Sequence, residues 1–200
     1  ERVYAQPSPE ILPRLPQDHG VHPAFRTEWW YFTGWFESPE FEQAFGVQIT
    51  FFRSAPNVNV QNPSAFSPQQ LLFAHAAVAL PKAGKLVHEQ IVRRAGRGGA
   101  ELKTSSTEVL NIRMPGWHLQ SGNGSQWQCR VDTPQLSMNL SMAETQTPWI
   151  QGQGGYSQKG PKPEQASYYI TMPHLKSTGT IRIEGKTLPV QGTFWMDHEW

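Results

Sequence analysis

The spacing of turn-forming residues constrains this 200-residue chain more than any other feature of its sequence. Clusters of Gly, Pro, Asn and Ser recur at about the 8–12-residue interval that is typical of antiparallel sandwiches and barrels. No stretch longer than about ten residues keeps the 3.6-residue hydrophobic period of an amphipathic helix. Because the resulting short strands must pair and cover their edges, the sequence predicts an all-β fold, an antiparallel barrel or sandwich.

The segments between these turns are rich in residues that favour strands. In 28–36, Glu28 and Trp30 fall on one face of the predicted strand, whereas Trp29 and Tyr31 fall on the other. The predicted strands are 28–36, 45–53, 71–80 (a strand or a short helix), 85–94, 107–114, 117–120, 126–131, 136–142, 167–172, 179–184 and 187–195, with a tight hairpin at 184–186.

The first 23 residues differ from the rest of the chain. Five of them are proline, and they show no periodic apolar pattern. Because proline lacks the backbone N–H that helices and inner strands require, residues 1–23 are predicted to form an extended arm. Residues 24–200 then form the β domain. The first residue is Glu1 rather than Met, which we interpret as a trimmed N-terminus.

Composition argues against several classes of protein. The formal net charge is +1 and no basic stripe is present, so binding to nucleic acid lacks an electrostatic basis. Nothing approaches the roughly 18 consecutive apolar residues of a transmembrane helix. The single cysteine, Cys129, precludes an internal disulfide and is predicted to be a buried, unreactive thiol. The chain contains 8 Trp, 10 Phe and 5 Tyr. These aromatic residues either line an apolar pocket or reflect the high frequency of aromatic residues in β-strands.

The densest group of chemically useful residues is the terminal sequence Asp197-His198-Glu199. If the strand continues, Asp197 and Glu199 share a face with Trp195, while His198 points to the other face. A carboxyl group among rings loses hydration, which favours the neutral acid, and a neutral acid can donate a proton to a substrate. A second carboxylate two residues away can orient water. The alternative is a strand end with solvated charges.

Other polar residues are weaker candidates. Glu28 lies on an otherwise aromatic face, so it must either pair with Arg26 or Arg53 or have a function. Several histidines could supply imidazole ligands, but no two show a metal-ligand spacing such as HExxH. Neither a G-x-S-x-G nucleophile motif nor a phosphate-binding loop occurs. We interpret most of these histidines as surface or hydrogen-bonded core residues, so no metal site is predicted, with a histidine–carboxylate metal site as the alternative.

Several motifs resemble those of carotenoid 1,2-hydratase (hydroxyneurosporene synthase) and the AttH-like proteins. They occur in the family's order from about residue 22 to the last residue, and the longest are rich in tryptophan, a rare residue. The matching segments are 26–34 (RTEWWYFTG), 45–53 (FGVQITFFR), 73–77 (FAHAA), 115–117 (PGW), 151–152 and 155–157 (QG and GYS), 167–169 (SYY) and 192–200 (GTFWMDHEW).

The resemblance implies a lipocalin-like, calycin-type architecture of two barrel-like domains with a ligand cleft between them, and no organic cofactor. Hydratase members add water across a terminal isoprenoid double bond. Carried over to this chain, the resemblance makes Asp197 the proton donor, and it makes Trp195 and Trp30 rings that stabilise a tertiary carbocation. Family members continue past the WMDHEW string into a second barrel, which is expected on a missing part or on another chain.

We therefore expect an apolar, isoprenoid-like or lipid-like small molecule in an aromatic-lined cleft. Three functions stay open: hydration by acid catalysis, carriage of a ligand without catalysis, and a transport-associated role without a small ligand. The bacterial cell envelope or periplasm is the expected location, with the cytoplasm as the alternative, and oligomerisation stays open. The expected catalytic residues are Asp197, Glu199 and His198, and the expected substrate-binding residues are Glu28, Trp29, Trp30, Tyr31, His75, Tyr168 and Trp195.

Overall fold

The computed structural model describes residues 2–59, 61–64, 66–96, 98–103 and 108–200. These residues form strands and two short 3-10 helices, Gln17–His19 and Pro81–Ala83, and the all-β prediction is confirmed. No helix among them has the length and apolar character needed to cross a membrane. The strands are β1 (Thr27–Glu37), β2 (Phe45–Ser54), β3 (Leu71–Leu80), β4 (Lys85–Arg94), β5 (Glu101–Lys103), β6 (Leu110–Met114), β7 (Trp117–Ser121), β8 (Gln126–Asp132), β9 (Leu136–Glu144), β10 (Trp149–Ile150), β11 (Tyr156–Gln158), β12 (Ala166–Ile183) and β13 (Lys186–Glu199).

The strands form one curled sheet in the order β4-β3-β2-β1-β13-β12-β9-β8-β7-β6-β5, with β10 and β11 added to β12. Val87 near one end of this path and Leu110 near the other belong to the same buried core, so the sheet wraps around its inner face. Large side chains such as Trp30 and Trp127 fill that face. Cys129 is also buried there, and burial raises its pKa to about 12, as expected for an unreactive thiol.

Alternation decides which side chains enter the core. On β1, Trp30 is fully buried while Trp29 and Tyr31 are only partly buried, as the sequence pattern predicts. Strand β1 lies between β2 and β13, so Trp30 is opposite both Phe51 and His198. The two tryptophan-rich motifs of the sequence are therefore direct neighbours in the sheet.

Strands β12 and β13 form a long hairpin. Its turn residues, Glu184 and Gly185, both have positive φ, as a type I′ turn requires, and the predicted hairpin is confirmed. The prediction of two strands at 167–172 and 179–184 is wrong, because β12 runs through both. The pairing with β13 shifts between Met172 and Leu175, and such a bulge accommodates a proline within a strand.

The N-terminal arm packs against the sheet. The hydroxyl of Tyr4 donates to the carbonyl of Ala55 at 2.8 Å, and the indole N–H of Trp30 donates to the carbonyl of His19 at 3.1 Å. Farther along, the arm covers the ends of β12 and β13. The small second core formed there consists of Tyr168, Ile170 and Trp200, against which Leu15 of the arm and Phe25, just after it, pack.

Candidate functional site

The end of β13 presents side chains to both faces of the sheet. Asp197 and Glu199 lie on the outer face with Trp195, whereas His198 is fully buried on the inner face. This is the alternation that the sequence predicts. The sheet therefore separates the expected site residues into an inner cluster around Glu28 and an outer cluster around Asp197.

The inner cluster is built on Glu28, whose side chain is 0% exposed. Nε of Arg53 donates to Glu28 Oε2 at 2.9 Å, so one of the two predicted pairing partners is confirmed. The backbone N–H of His22 donates to the same oxygen at 2.9 Å. Glu28 Oε1 lies 2.7 Å from Nδ1 of His22 and 3.0 Å from Nε2 of His198. Four donors thus satisfy this buried carboxylate.

The ionisation of the cluster follows from these contacts. Burial by itself would raise the pKa of Glu28, but hydrogen bonds from His198 and His22 outweigh burial and lower the pKa to about 2. Burial lowers the pKa of His198, so this imidazole is neutral. Burial also acts to lower the pKa of His22, but bonds to Asp18 and Glu28 reverse the effect and raise it.

The inner cluster also joins the N-terminal arm to the sheet. Nη2 of Arg53 donates to the carbonyl oxygens of His22 and Phe25 at 2.8 and 3.0 Å. The imidazole of His22 stacks on the indole of Trp200, with 3.9 Å between ring centroids and 2° between planes. The cluster therefore holds the arm, β1, β2 and β13 together.

His22, Glu28 and His198 each place one ligand atom within 4.8 Å of the others, which is close enough for a metal site. Their contacts have hydrogen-bond lengths, however, and the buried guanidinium of Arg53 already balances the charge of Glu28. A divalent cation would have to replace these hydrogen bonds beside a buried positive charge. We interpret the cluster as an internal ion-pair network.

The outer cluster is centred on the half-buried Asp197. Oγ1 of Thr171, on the neighbouring strand β12, donates to Asp197 Oδ1 at 2.7 Å. Nε2 of Gln151 donates in turn to Thr171 Oγ1 at 2.9 Å. On the other side, Tyr31 of β1 is directly opposite Asp197. Asp197 thus lies between Thr171 of β12, which donates a hydrogen bond to it, and Tyr31 of β1.

Indole rings flank this carboxyl group on the outer face. The partly buried ring of Trp195 meets the ring of Trp149 edge to face, with 5.5 Å between centroids. Trp149 is 52% exposed and Trp35, farther along β1, is 64% exposed. Exposed large rings on one face are typical of surfaces that bind a ligand or another domain.

A strip of rings crosses the outer face beside Asp197. Trp29 stacks on Phe52 with 5.8 Å between centroids, and Phe52 meets Phe73 edge to face at 5.8 Å. Val92 of β4 is opposite Phe73 and adds an aliphatic side chain, so the apolar strip spans four strands. Neighbouring strands lie about 4.8 Å apart, which makes the strip about 14 Å long. It offers an apolar surface to an elongated molecule.

Glu199 lies at the edge of the outer cluster and is already bonded. Oγ of Ser167 donates to Glu199 Oε2 at 2.6 Å, and Nζ of Lys159 lies 2.8 Å from the same oxygen. Lys159 also sits over the ring of Tyr169. Burial, followed by the charge of Asp197, raises the pKa of Tyr169 to about 12, so this phenol stays neutral.

The structure brings together only part of the expected set. Trp29, Tyr31, Trp195, Asp197 and Glu199 occupy adjacent positions on the outer face. His75 is on the same face but three strands from Asp197, where Nδ1 lies 3.3 Å from Nε2 of Gln48. The four residues on the opposite side of the sheet are Glu28, Trp30, Tyr168 and His198.

That separation places two of the expected binding residues away from Asp197. Trp30 faces the packed core, on the opposite side of the sheet from Asp197. Tyr168 is likewise turned inward, where its hydroxyl is hydrogen-bonded to Ser8 at 3.0 Å and its ring packs near Trp200. Sequence reasoning missed Thr171, Gln151 and Tyr169 on the outer face and His22 in the inner cluster.

The chain is similar to proteins of known family and structure. A family model described as AttH-like matches residues 6–200. The crystal structure of an AttH protein from Nitrosomonas europaea has a TM-score of 0.84 and 37% identity, covering 98% of this chain and 57% of that one. Kievitone hydratase from Nectria haematococca has a TM-score of 0.67 and 12% identity, covering 94% of this chain and 52% of that one, which shows a shared fold. This chain thus spans little more than half of either structure. No curated protein matches it.

Proposed function

The chain belongs to the AttH-like family, and we propose that it binds an apolar, isoprenoid-like or lipid-like molecule on its outer face and hydrates a carbon–carbon double bond there. The observation that carries this proposal is the position of Asp197, a half-buried carboxyl group between Tyr31 and Trp195 on an aromatic face. The likeness to a structure named kievitone hydratase is consistent with this proposal, and the resemblance of the WMDHEW motif supports it.

The reaction needs an acid, a surface that stabilises positive charge, and water. Protonated Asp197 would transfer its proton to one alkene carbon, leaving a tertiary carbocation at the other carbon. The ring faces of Tyr31 and Trp195 would stabilise that cation. Water would then form the carbon–oxygen bond and return one proton to the Asp197 carboxylate. One water is consumed and the acid is regenerated.

The other two expected catalytic residues take different roles in this proposal. Glu199 is the carboxylate nearest to Asp197 along the strand, and its bonds to Ser167 and Lys159 suit an anion that orients the attacking water. His198 is on the opposite face and bonded to Glu28, so we assign it to holding β13 rather than to chemistry.

We further propose that a second lipocalin-like domain covers the outer face and completes the binding cleft. The exposure of Trp35 and Trp149 on this face supports that arrangement. Size-exclusion chromatography and a structure of the full-length protein test it. The cell-envelope location is also a proposal, and fractionation of the source cells tests it.

The decisive experiment supplies the full-length protein with a linear carotenoid that carries a terminal isoprenoid double bond. We expect a product that contains one added oxygen from ¹⁸O-labelled water, detected by mass spectrometry. Asp197→Asn should abolish this product while carotenoid affinity stays nearly unchanged, because the amide keeps the shape of the acid but cannot protonate the alkene. Equal turnover by the variant would remove Asp197 as the acid.

Carriage without catalysis is the second candidate function. The strip of Trp29, Phe52 and Phe73 favours it, because the strip extends away from Asp197 and offers apolar contact area that requires no acid. Quenching of tryptophan fluorescence by the carotenoid without any hydrated product would select this function. A flat fluorescence titration would exclude both candidates.

A further inference from the structure

Asp197 is held on one side by two hydrogen bonds in series. Thr171 Oγ1 donates to Asp197 Oδ1 at 2.7 Å, and Gln151 Nε2 donates to Thr171 Oγ1 at 2.9 Å. A hydroxyl group has a single proton to donate, and this one goes to Asp197. Gln151 therefore donates to Thr171, and Thr171 donates to the carboxyl group of Asp197.

Backbone pairing holds each member of the series in place. Thr171 is directly opposite Asp197 on one side and opposite Trp149 on the other. The backbone N–H of Gln151 donates to the carbonyl of Tyr169 at 3.0 Å. Thr171 is 0% exposed, so water does not compete for its hydroxyl group. Pairing on both sides of Thr171 therefore fixes where its hydroxyl group lies relative to Asp197.

We propose that Thr171 and Gln151 are positioning residues that keep Asp197 Oδ1 as a hydrogen-bond acceptor and leave Oδ2 as the oxygen that carries the catalytic proton. This inference rests on the proposed function, in which Asp197 is the acid. Proton transfer needs a heavy-atom approach of about 2.6–3.2 Å in a defined direction. The bond from Thr171 to Oδ1 excludes the orientation of the Asp197 carboxyl group in which the acidic proton is on Oδ1 and points at Thr171.

The first test is Thr171→Val in the full-length protein, with the linear carotenoid as probe. The substitution removes the hydroxyl and keeps the size and branching of the side chain. We expect kcat to fall by about tenfold to a hundredfold while KM changes by less than about twofold, because apolar contacts to the ligand are retained. Thr171→Ser should bring kcat back to within about threefold of the wild-type value, because it restores the donor.

Two further variants separate positioning from general effects on the strand. Thr180→Val makes the same change at an exposed position of β12 and should leave kcat and KM unchanged. Gln151→Leu removes the first donor only, so kcat should fall by a smaller factor, about threefold to tenfold. Circular dichroism and thermal melting establish that each variant is folded.

The outcomes distinguish this inference from the function on which it rests. Wild-type turnover by Thr171→Val, with Asp197→Asn inactive, would overturn the positioning role and leave the acid in place. Wild-type turnover by Asp197→Asn would overturn the proposed function instead. Crystal structures give a readout that needs no turnover: we expect the Asp197 carboxyl group to rotate in Thr171→Val, and an unchanged orientation would overturn the inference.

Discussion

Nε2 of His198 lies 3.0 Å from Oε1 of Glu28, on the face of the sheet opposite Asp197. Because a strand points successive side chains to opposite faces, the bond that holds His198 inward also fixes Asp197 outward. A slip of one residue in the register of β13 would exchange the two groups. The inner cluster thus determines which carboxyl group reaches the outer site.

The protonation of His198 agrees with this arrangement. Burial lowers its pKa, and its Nε2–H donates to the Glu28 carboxylate. Nδ1 of His198 has no hydrogen-bond partner among the described residues. In a neutral imidazole that is protonated on Nε2, Nδ1 carries a lone pair. The rings of Trp30 and Trp200 pack against this imidazole, with 4.8 and 4.7 Å between ring centroids.

Replacing Glu28 by Gln should strongly destabilise the fold. The amide keeps the size of the side chain but leaves the buried guanidinium of Arg53 without its counter-charge. Breaking a buried pair in this way costs about 3–5 kcal/mol in the free energy of unfolding, measured by urea denaturation. Glu37→Gln, at the exposed end of the same strand, is the control and should change it by less than about 0.5 kcal/mol. Similar values for both variants would contradict the ion-pair network.

Acid should destabilise the protein in two successive steps. Burial lowers the pKa of His19 from 6.5 to about 3, so the unfolded chain binds a proton first and stability falls as pH drops through that window. The pKa of Glu28 is about 2 against a usual 4.5, so its contribution is present above 4.5 and lost as pH falls toward 2. His22 acts in the other direction, because its raised pKa gives a contribution that is lost as pH rises.

The experiment measures the free energy of unfolding against pH for the wild type and for His19→Leu. The variant removes one titrating group, so the decline that begins near pH 6.5 should become shallower. The decline below pH 4.5 should remain, because Glu28 is unchanged. Superimposable profiles would show that His19 does not titrate as its burial requires.

Much of the fold could be predicted from local sequence patterns. The faces of β1 and β13 follow from strict alternation, and the β12–β13 turn follows from the Glu184-Gly185 pair, because these features depend on neighbouring residues only. The separation of the expected site residues by the sheet could also have been deduced, since Glu28 and Asp197 belong to opposite faces once β1 and β13 are known to pair.

The partner of Asp197 could not be predicted in this way. Continuing the hairpin register from the pair Ile183 and Lys186 would place Met172 opposite Asp197. The bulge after Met172 shifts the pairing by one residue and puts Thr171 there instead. His22 was missed for a related reason. It lies in the N-terminal arm, which has no periodic pattern, so the sequence does not indicate that the arm turns back to contact Glu28.

Replacing Trp195 by Leu should weaken binding of the carotenoid probe. The indole supplies apolar area next to Asp197, and its replacement by a smaller side chain removes about 1–2 kcal/mol of contact, or roughly tenfold in affinity. Binding is measured from carotenoid absorbance that co-elutes with the protein. Phe66→Leu, at an exposed position outside the sheet, should leave affinity unchanged. Equal affinity in Trp195→Leu would place the ligand elsewhere.

The close approach of β1 and β13 yields a last prediction, at Gly34. A Cβ atom there would overlap the backbone oxygen of Thr193, and neither central strand can move without disturbing its other neighbour. Gly34→Ala should therefore lower the free energy of unfolding by more than about 3 kcal/mol. Gly46→Ala on β2 is the matched control, because its Cβ would meet that of Ala79 at an ordinary 3.5 Å. The control should change stability by less than about 1 kcal/mol, and equal effects would show that the close approach is not required.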